Sequence, residues 1–206
     1  MFFPIPADAK KSTFNNKAWT KIPTIVIVGS DQDPRYGATF EAVAFWNSTL
    51  SDIGTPFRLG PITHNEEVIP DENYLTKLSD HILKGKRKPK MPENYKKISG
   101  DLIIVFSSSD IISFSSLHPS EGKAVIGIRD YQIIPLTLPN VTRNLIAHEL
   151  GHAIGLGHND DPTKLMCGRP APCRPSAWQS DEAKFFPLTD QEKLQILKMY
   201  PSDWKE

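Results

Sequence analysis

The run His148-Glu149-Leu150-Gly151-His152-Ala153-Ile154-Gly155-Leu156-Gly157-His158 limits this chain more than any other stretch of it. On an α-helix, residues four apart lie about 40° from each other around the axis, so His148 and His152 project side by side with Glu149 on the same edge. Six further helical residues would carry His158 about 240° round and roughly 9 Å along, out of reach of the other two. For three imidazoles to meet, the helix must stop. Gly155 stands where a left-handed C-terminal residue lets the chain turn back without a Cβ clash.

Three neutral imidazoles around an open fourth position are the donor set of catalytic zinc, whereas a structural site is closed by a fourth protein ligand. Glu149 beside them is a carboxylate placed to take a proton from a metal-acidified water. The bland alternative is a helix whose histidines are ordinary surface or core polar groups. With six His and twelve Gly in 206 residues, the five fixed positions coincide by accident in roughly one such chain in 10⁵, which favours the metal reading.

The length fits one globular domain with a substantial core, or one domain divided by a cleft. Lys plus Arg and Asp plus Glu number 24 each, so no global field favours nucleic acid or an anionic membrane. No apolar run approaches the roughly 20 residues of a membrane span, and the first residues lack the basic start and apolar core of a signal peptide. The two cysteines, Cys167 and Cys173, sit close together in a Pro-rich stretch. They read as a short-range disulfide, as two free thiols, or as a source of one zinc-binding thiolate.

Residues 1–22 are polar with scattered prolines and read as an irregular arm preceding a single domain over 23–206. The β-branched run Pro23–Gly29 is a first strand, and apolar spacing over Tyr36–Leu50 predicts a helix after it. Pro56–Leu59 is a second-strand candidate, Asp71–Leu83 a helix candidate, and Asp101–Phe106 the strongest strand. Ala124–Arg129 and Gln132–Leu138 are further short runs. Asn140 or Thr142 is expected to cap the metal helix. Thr189 and Glu192 form a capping-box pattern at the start of a last helix that stops before Pro201. The basic run Lys84–Lys90 reads as a solvated loop or as a surface for an anionic partner. Isolated His64, His81 and His118 read as surface or hydrogen-bonded residues.

At the metal motif the chain resembles the metzincin zinc peptidases, most closely the matrixin-like (matrix metalloproteinase) branch. The run from His148 to His158 matches the extended consensus at every fixed position, and Met166 follows His158 by eight residues, the matrixin-like interval. Gly168 stands where astacin-like and serralysin-like members carry a metal-approaching tyrosine, and Asn159 after the third histidine is not the usual residue of the known branches.

The resemblance implies an α+β fold of the zincin/metzincin type. It comprises a twisted mixed β-sheet with an antiparallel edge strand, packed on two long helices, and a small C-terminal subdomain ending in a helix. The upper part would span 23–158 and the lower part 159–206. It implies a zinc-dependent endopeptidase with His148, His152 and His158 as metal ligands, Glu149 as general base, and Gly155 and Met166 as structural residues of the site. Ala124–Arg129 is the strand expected to receive an extended peptide, with the loop Gly168–Pro187 and its Trp178, Phe185 and Phe186 walling the side-chain pocket.

Structural Ca²⁺ is a further expectation from the resemblance, with Asp31, Asp33, Asp110, Asp130, Asp160 and Asp161 as the available carboxylates. The expected partner is a protein or peptide substrate, with no nucleic acid or membrane, and the protein itself is expected to be a monomer. The resemblance implies secretion, while the absence of a leader leaves a cytoplasmic location open. Two other readings stand beside the peptidase: an inactive zinc-binding interaction module and a zinc hydrolase of a non-peptide amide.

Overall fold

A computed structural model describes residues 14–15, 18–169, 171, 173 and 175–206; part of the N-terminal arm lies outside them. A short antiparallel pair, β1 (Phe14–Asn15) and β2 (Ala18–Trp19), precedes the main sheet. That sheet contains β3 (Ile25–Val28), β4 (Ile62–Asn65), β5 (Leu102–Phe106), β6 (Phe114–His118) and β7 (Lys123–Ile128), in the order β4-β3-β5-β7-β6. All neighbours are parallel except β6, which runs antiparallel to β7 at one edge.

The helices are α1 (Pro34–Ile53), α2 (Glu72–Leu83), α3 (Glu93–Lys97), α4 (Pro139–Ala153) and α5 (Asp190–Met199), with a 3₁₀ turn at Pro175–Trp178. Side chains alternate across a strand, and the continuous apolar runs of β3 and β5 are covered on both faces. Ile25, Ile27, Leu102 and Ile104 pack with Trp46 and Leu50 of α1 and Ile146 and Leu150 of α4. Val26, Val28, Ile103 and Val105 pack with Leu75 and Leu78 of α2 and Tyr95 of α3. The expected mixed sheet with its antiparallel edge and two long helices is present. The second helical layer, formed by α2 and α3, is an addition to that expectation.

Several local expectations are corrected. Pro56–Leu59 is not a strand: Phe57 is buried and stacks on Tyr200 with ring centroids 3.9 Å apart. The Asn47 side chain takes the backbone hydrogen bonds of Leu59 that a ladder would have taken. The more polar Ile62–Asn65 pairs with β3 instead. Gln132–Leu138 forms turns. Ala124–Arg129 is no edge, because β7 is paired by β5 on one side and β6 on the other.

Neither Asn140 nor Thr142 caps α4. Leu138 holds the cap position in extended backbone, and Pro139 occupies the first helical position, where its missing N–H is harmless. The end of the arm is fixed too: Trp19 is buried and belongs to the same core as α1 and α4. Residues of the lower part, among them Leu165, Met166, Ile196 and Tyr200, join that core as well. No helix among the described residues is long and apolar enough to cross a membrane.

Candidate metal centre

Helix α4 delivers two of the three histidines and then stops. Gly155 has φ +106°. Its N–H bonds to the His152 carbonyl at 3.0 Å, while the Leu156 N–H reaches back to the Gly151 carbonyl at 3.0 Å. This paired closure is the Schellman arrangement, which satisfies the Gly151 and His152 carbonyls at the helix end. Two more are taken from outside, since the Trp19 indole N–H donates to the Ala153 carbonyl and the Tyr200 hydroxyl to that of Ile154. Trp19 and Tyr200, far apart in sequence, thus both clamp the point where the metal helix turns.

The returning chain places His158 against the other two. Nε2 to Nε2 distances are 3.1 Å for His148–His152, 3.2 Å for His148–His158 and 2.9 Å for His152–His158. Each Nδ1 faces a backbone carbonyl: Leu165 at 2.7 Å from His148, Leu156 at 2.9 Å from His152, and Arg169 at 2.7 Å from His158. A carbonyl only accepts, so each Nδ1 carries the proton and each Nε2 presents a lone pair. Three lone pairs thereby converge, an arrangement that repels itself unless a cation lies between them. Zinc–nitrogen bonds of about 2.0–2.1 Å at tetrahedral angles require nitrogens roughly 3.3 Å apart, so the tripod fits such an ion with little adjustment. These three form the sole cluster of metal-capable side chains among the described residues.

The environment keeps two of the rings neutral. Burial, with the facing His152 and His158 rings, brings the pKa of His148 down to about 3. Burial also lowers that of His152 to about 4. Glu149 is buried beside them, and desolvation pushes its carboxyl up to about 8. Its Oε2 is shielded from solvent and has no hydrogen-bond partner. An orphaned buried carboxyl oxygen is costly to a fold.

A cleft of about 610 Å³ opens here, lined by His148, Glu149 and His158, by Ile111–Ser113 and Arg129 at the sheet edge, and by Trp178. Of the residues expected to wall it, Trp178 stands with its ring centroid 5.4 Å from that of His148. Phe185 instead stacks on Phe45 at 4.4 Å, and neither it nor Phe186 lines the cleft. Asn140 and Asn144 hold this loop down, accepting from the Lys184 and Phe186 backbone N–H groups and donating to the Trp178 and Lys184 carbonyls. Among the described residues, the open strand edge on this side belongs to β6, which its serines hid from a hydrophobicity reading.

Below the tripod, Met166 is fully buried. A Cβ on Gly151 would run into its Sδ and come within 3.0 Å of Trp46 Cζ2. A Cβ on Gly168 would meet the His158 ring. Both glycines are sterically constrained in a way that the motif alone does not reveal, because the constraint comes from a distant segment. Cys167 and Cys173 are disulfide-bonded, which decides among the three readings of the pair and leaves no thiolate for the metal. The loop they close carries Arg169, whose carbonyl orients His158. Asn159 ties the site to α5: its backbone bridges Met166 and Gly168, and its side chain donates to Glu192 at 2.6 Å.

The other candidates do not converge. His64 faces the Gly29 carbonyl, His81 that of Arg87, and His118 the Tyr74 hydroxyl. Among the proposed calcium carboxylates, Asp33 pairs with Arg35, Asp110 with Arg129, and Asp161 with Thr163.

Fold and site define a mixed α+β protein with a tripod of histidines suited to a divalent metal. No protein-family model and no curated protein matches the chain in sequence. Among solved structures, the chain is similar to the crystal structure of archaemetzincin from Methanopyrus kandleri, at 15% identity and a TM-score of 0.45. The match covers 87% of this chain and 96% of that one.

Proposed function

We propose that the protein is a zinc-dependent peptide hydrolase of metzincin type. The observation that carries the reading is the convergence of three Nε2 lone pairs within 3.2 Å of one another beside the unpartnered Oε2 of Glu149. His148, His152 and His158 would hold the ion. Bound there, zinc would supply Lewis acidity toward a carbonyl and a water acidic enough to ionise near neutral pH. Glu149 would take the proton of the attacking water and hand it to the leaving amine. An extended peptide adds to the open edge of β6 by main-chain hydrogen bonds, with Trp178 beside the tripod. The disulfide favours an oxidising compartment, in line with secretion.

The test combines metal analysis with peptide-library cleavage for the parent, Glu149→Gln and His158→Ala. One zinc per parent chain is expected, with cleavage falling about 10²–10⁴-fold in Glu149→Gln at unchanged zinc content, and zinc lost from His158→Ala. Equal zinc in parent and Glu149→Gln with no cleavage by either would identify a binding module. Failure of the parent to take up zinc would end the proposal.

A further inference from the structure

Seven residues carry charge out of proportion to the rest. Lys84, Lys86, Arg87, Lys88 and Lys90 supply five cations and no acid between positions 84 and 90. Taking them from the balance of 24 and 24 leaves the other 199 residues with 19 cations against 24 acids. The neutral total therefore hides a concentrated positive patch on a faintly acidic body. Every residue of the segment except Pro89 is exposed.

The segment is anchored rather than trailing. It leaves α2 through Gly85 at φ +61°, with the Gly85 N–H on the Ile82 carbonyl and the Lys86 N–H on that of His81. The His81 ring then fixes the Arg87 carbonyl at 2.5 Å. Lys84 pairs with Asp80. Lys86, Arg87 and Lys90 have no carboxylate at ion-pair distance among the described residues.

Position gives the patch its meaning. The α2 turn from which it springs contributes Ser79, Asp80 and Leu83 to the lining of the cleft that holds His148, Glu149 and His158. At its other end the patch approaches β6. His118, the last residue of that strand, is held below its ordinary pKa first by burial and then by the charge of Lys88. The cations therefore flank both the cleft and the end of the open strand edge.

We infer that the segment 84–90 is an accessory binding surface for an acidic stretch of a protein substrate, flanking the bond presented to the histidine tripod. The inference rests on the peptidase reading for the word substrate, and on the charge distribution for the surface itself. Exposed charge pairs are individually weak and screened by salt, so selectivity comes from several acting together on a pre-shaped loop. They also steer a mobile acidic segment toward the cleft during encounter.

The experiment uses the full chain loaded with zinc and two labelled peptides, one neutral and the same one extended by six glutamates. Anisotropy is read on the Glu149→Gln protein, so that bound peptide is not consumed. The extended peptide is expected to bind at least tenfold more tightly at 50 mM salt, with the advantage gone at 500 mM. The advantage should also vanish in Lys86→Glu/Arg87→Glu/Lys90→Glu and shrink in the corresponding Gln variant. In the otherwise unaltered enzyme, the loop variants should raise KM for the extended peptide and leave kcat/KM for the neutral one unchanged.

Equal binding of the two peptides, or an advantage that survives the loop substitutions, overturns the surface. So does a heparin or duplex nucleic-acid fragment of matched charge that binds the loop more tightly than the peptide, since the partner would then be a polyanion of another class. Loop-dependent binding without any cleavage supports the surface and refutes the peptidase reading; cleavage of the neutral peptide without an acidic advantage does the reverse.

Discussion

Gly151 and Gly37 both lie inside helices, and the structure assigns opposite signs to the same substitution at the two. Replacing an interior helical glycine by alanine removes backbone entropy from the unfolded chain and raises stability by about 0.5–1 kcal/mol where the new methyl meets nothing. At Gly37, in α1, nothing lies within 4 Å of a Cβ. Gly37→Ala should therefore raise the melting temperature by about 1–4 °C, given roughly 2–4 °C per kcal/mol for a chain of this size.

At Gly151 the methyl would collide with Met166 Sδ and press on Trp46, whose indole is itself fixed to the Ala147 carbonyl at 2.8 Å. Overpacking of this kind costs about 1–3 kcal/mol, which set against a helical gain of about 0.5–1 kcal/mol leaves a net loss of up to about 2.5 kcal/mol. Displacing Met166 also moves the neighbouring Leu165 carbonyl that orients His148. The pair is measured by calorimetry on both variants and by zinc retention against a chelator. Stabilisation of Gly151→Ala equal to that of Gly37→Ala, with zinc retention unchanged, would refute the packing argument for this residue.

Asp101 gives a pH-dependent expectation. Burial raises its carboxyl pKa, but the Lys21 ammonium at 2.7 Å and two Thr24 donors at 2.9 Å overcome this and hold it below its ordinary value. A depressed folded pKa stabilises above the unfolded value and is lost as pH falls through the folded one, so Asp101→Asn should lower the urea midpoint at pH 7 and leave it little changed at the acid end. An equal deficit at both pH values would count against this. Replacing Cys167 and Cys173 by Ser removes a short covalent loop, about 2 kcal/mol by chain entropy, and frees the Arg169 carbonyl that orients His158. Metal affinity should fall about 10–100-fold, and an unchanged chelator-competition curve would contradict the role given to that loop. Trp19→Phe leaves the Ala153 carbonyl without its indole donor and should cost about 1–3 kcal/mol by chemical denaturation.

What could be read from the chain alone was whatever depends on neighbours in sequence. Continuous β-branched runs announced β3 and β5. Four-residue spacing put His148 and His152 on one face, and the reach of a helix required Gly155 to break it. Thr189 and Glu192 formed their capping box as their spacing implied. Such features are decided within one or two turns of backbone, so the residues that make them are adjacent on the page.

The rest was decided by segments that meet only after folding. The serine-rich Phe114–His118 is the open edge because β7 found partners on both sides, and Pro56–Leu59 lost its place in the sheet to Asn47 and Tyr200. The capping asparagine expected at the start of α4 instead clasps the loop ahead of α5. Gly151 and Gly168 must lack side chains because Met166 and His158 arrive against them from elsewhere. The burial that leaves one oxygen of Glu149 without a partner is likewise a property of the assembled core. Spacing along a helix is a local matter, whereas exclusion of water and the choice of a sheet edge depend on what distant parts of the chain leave uncovered.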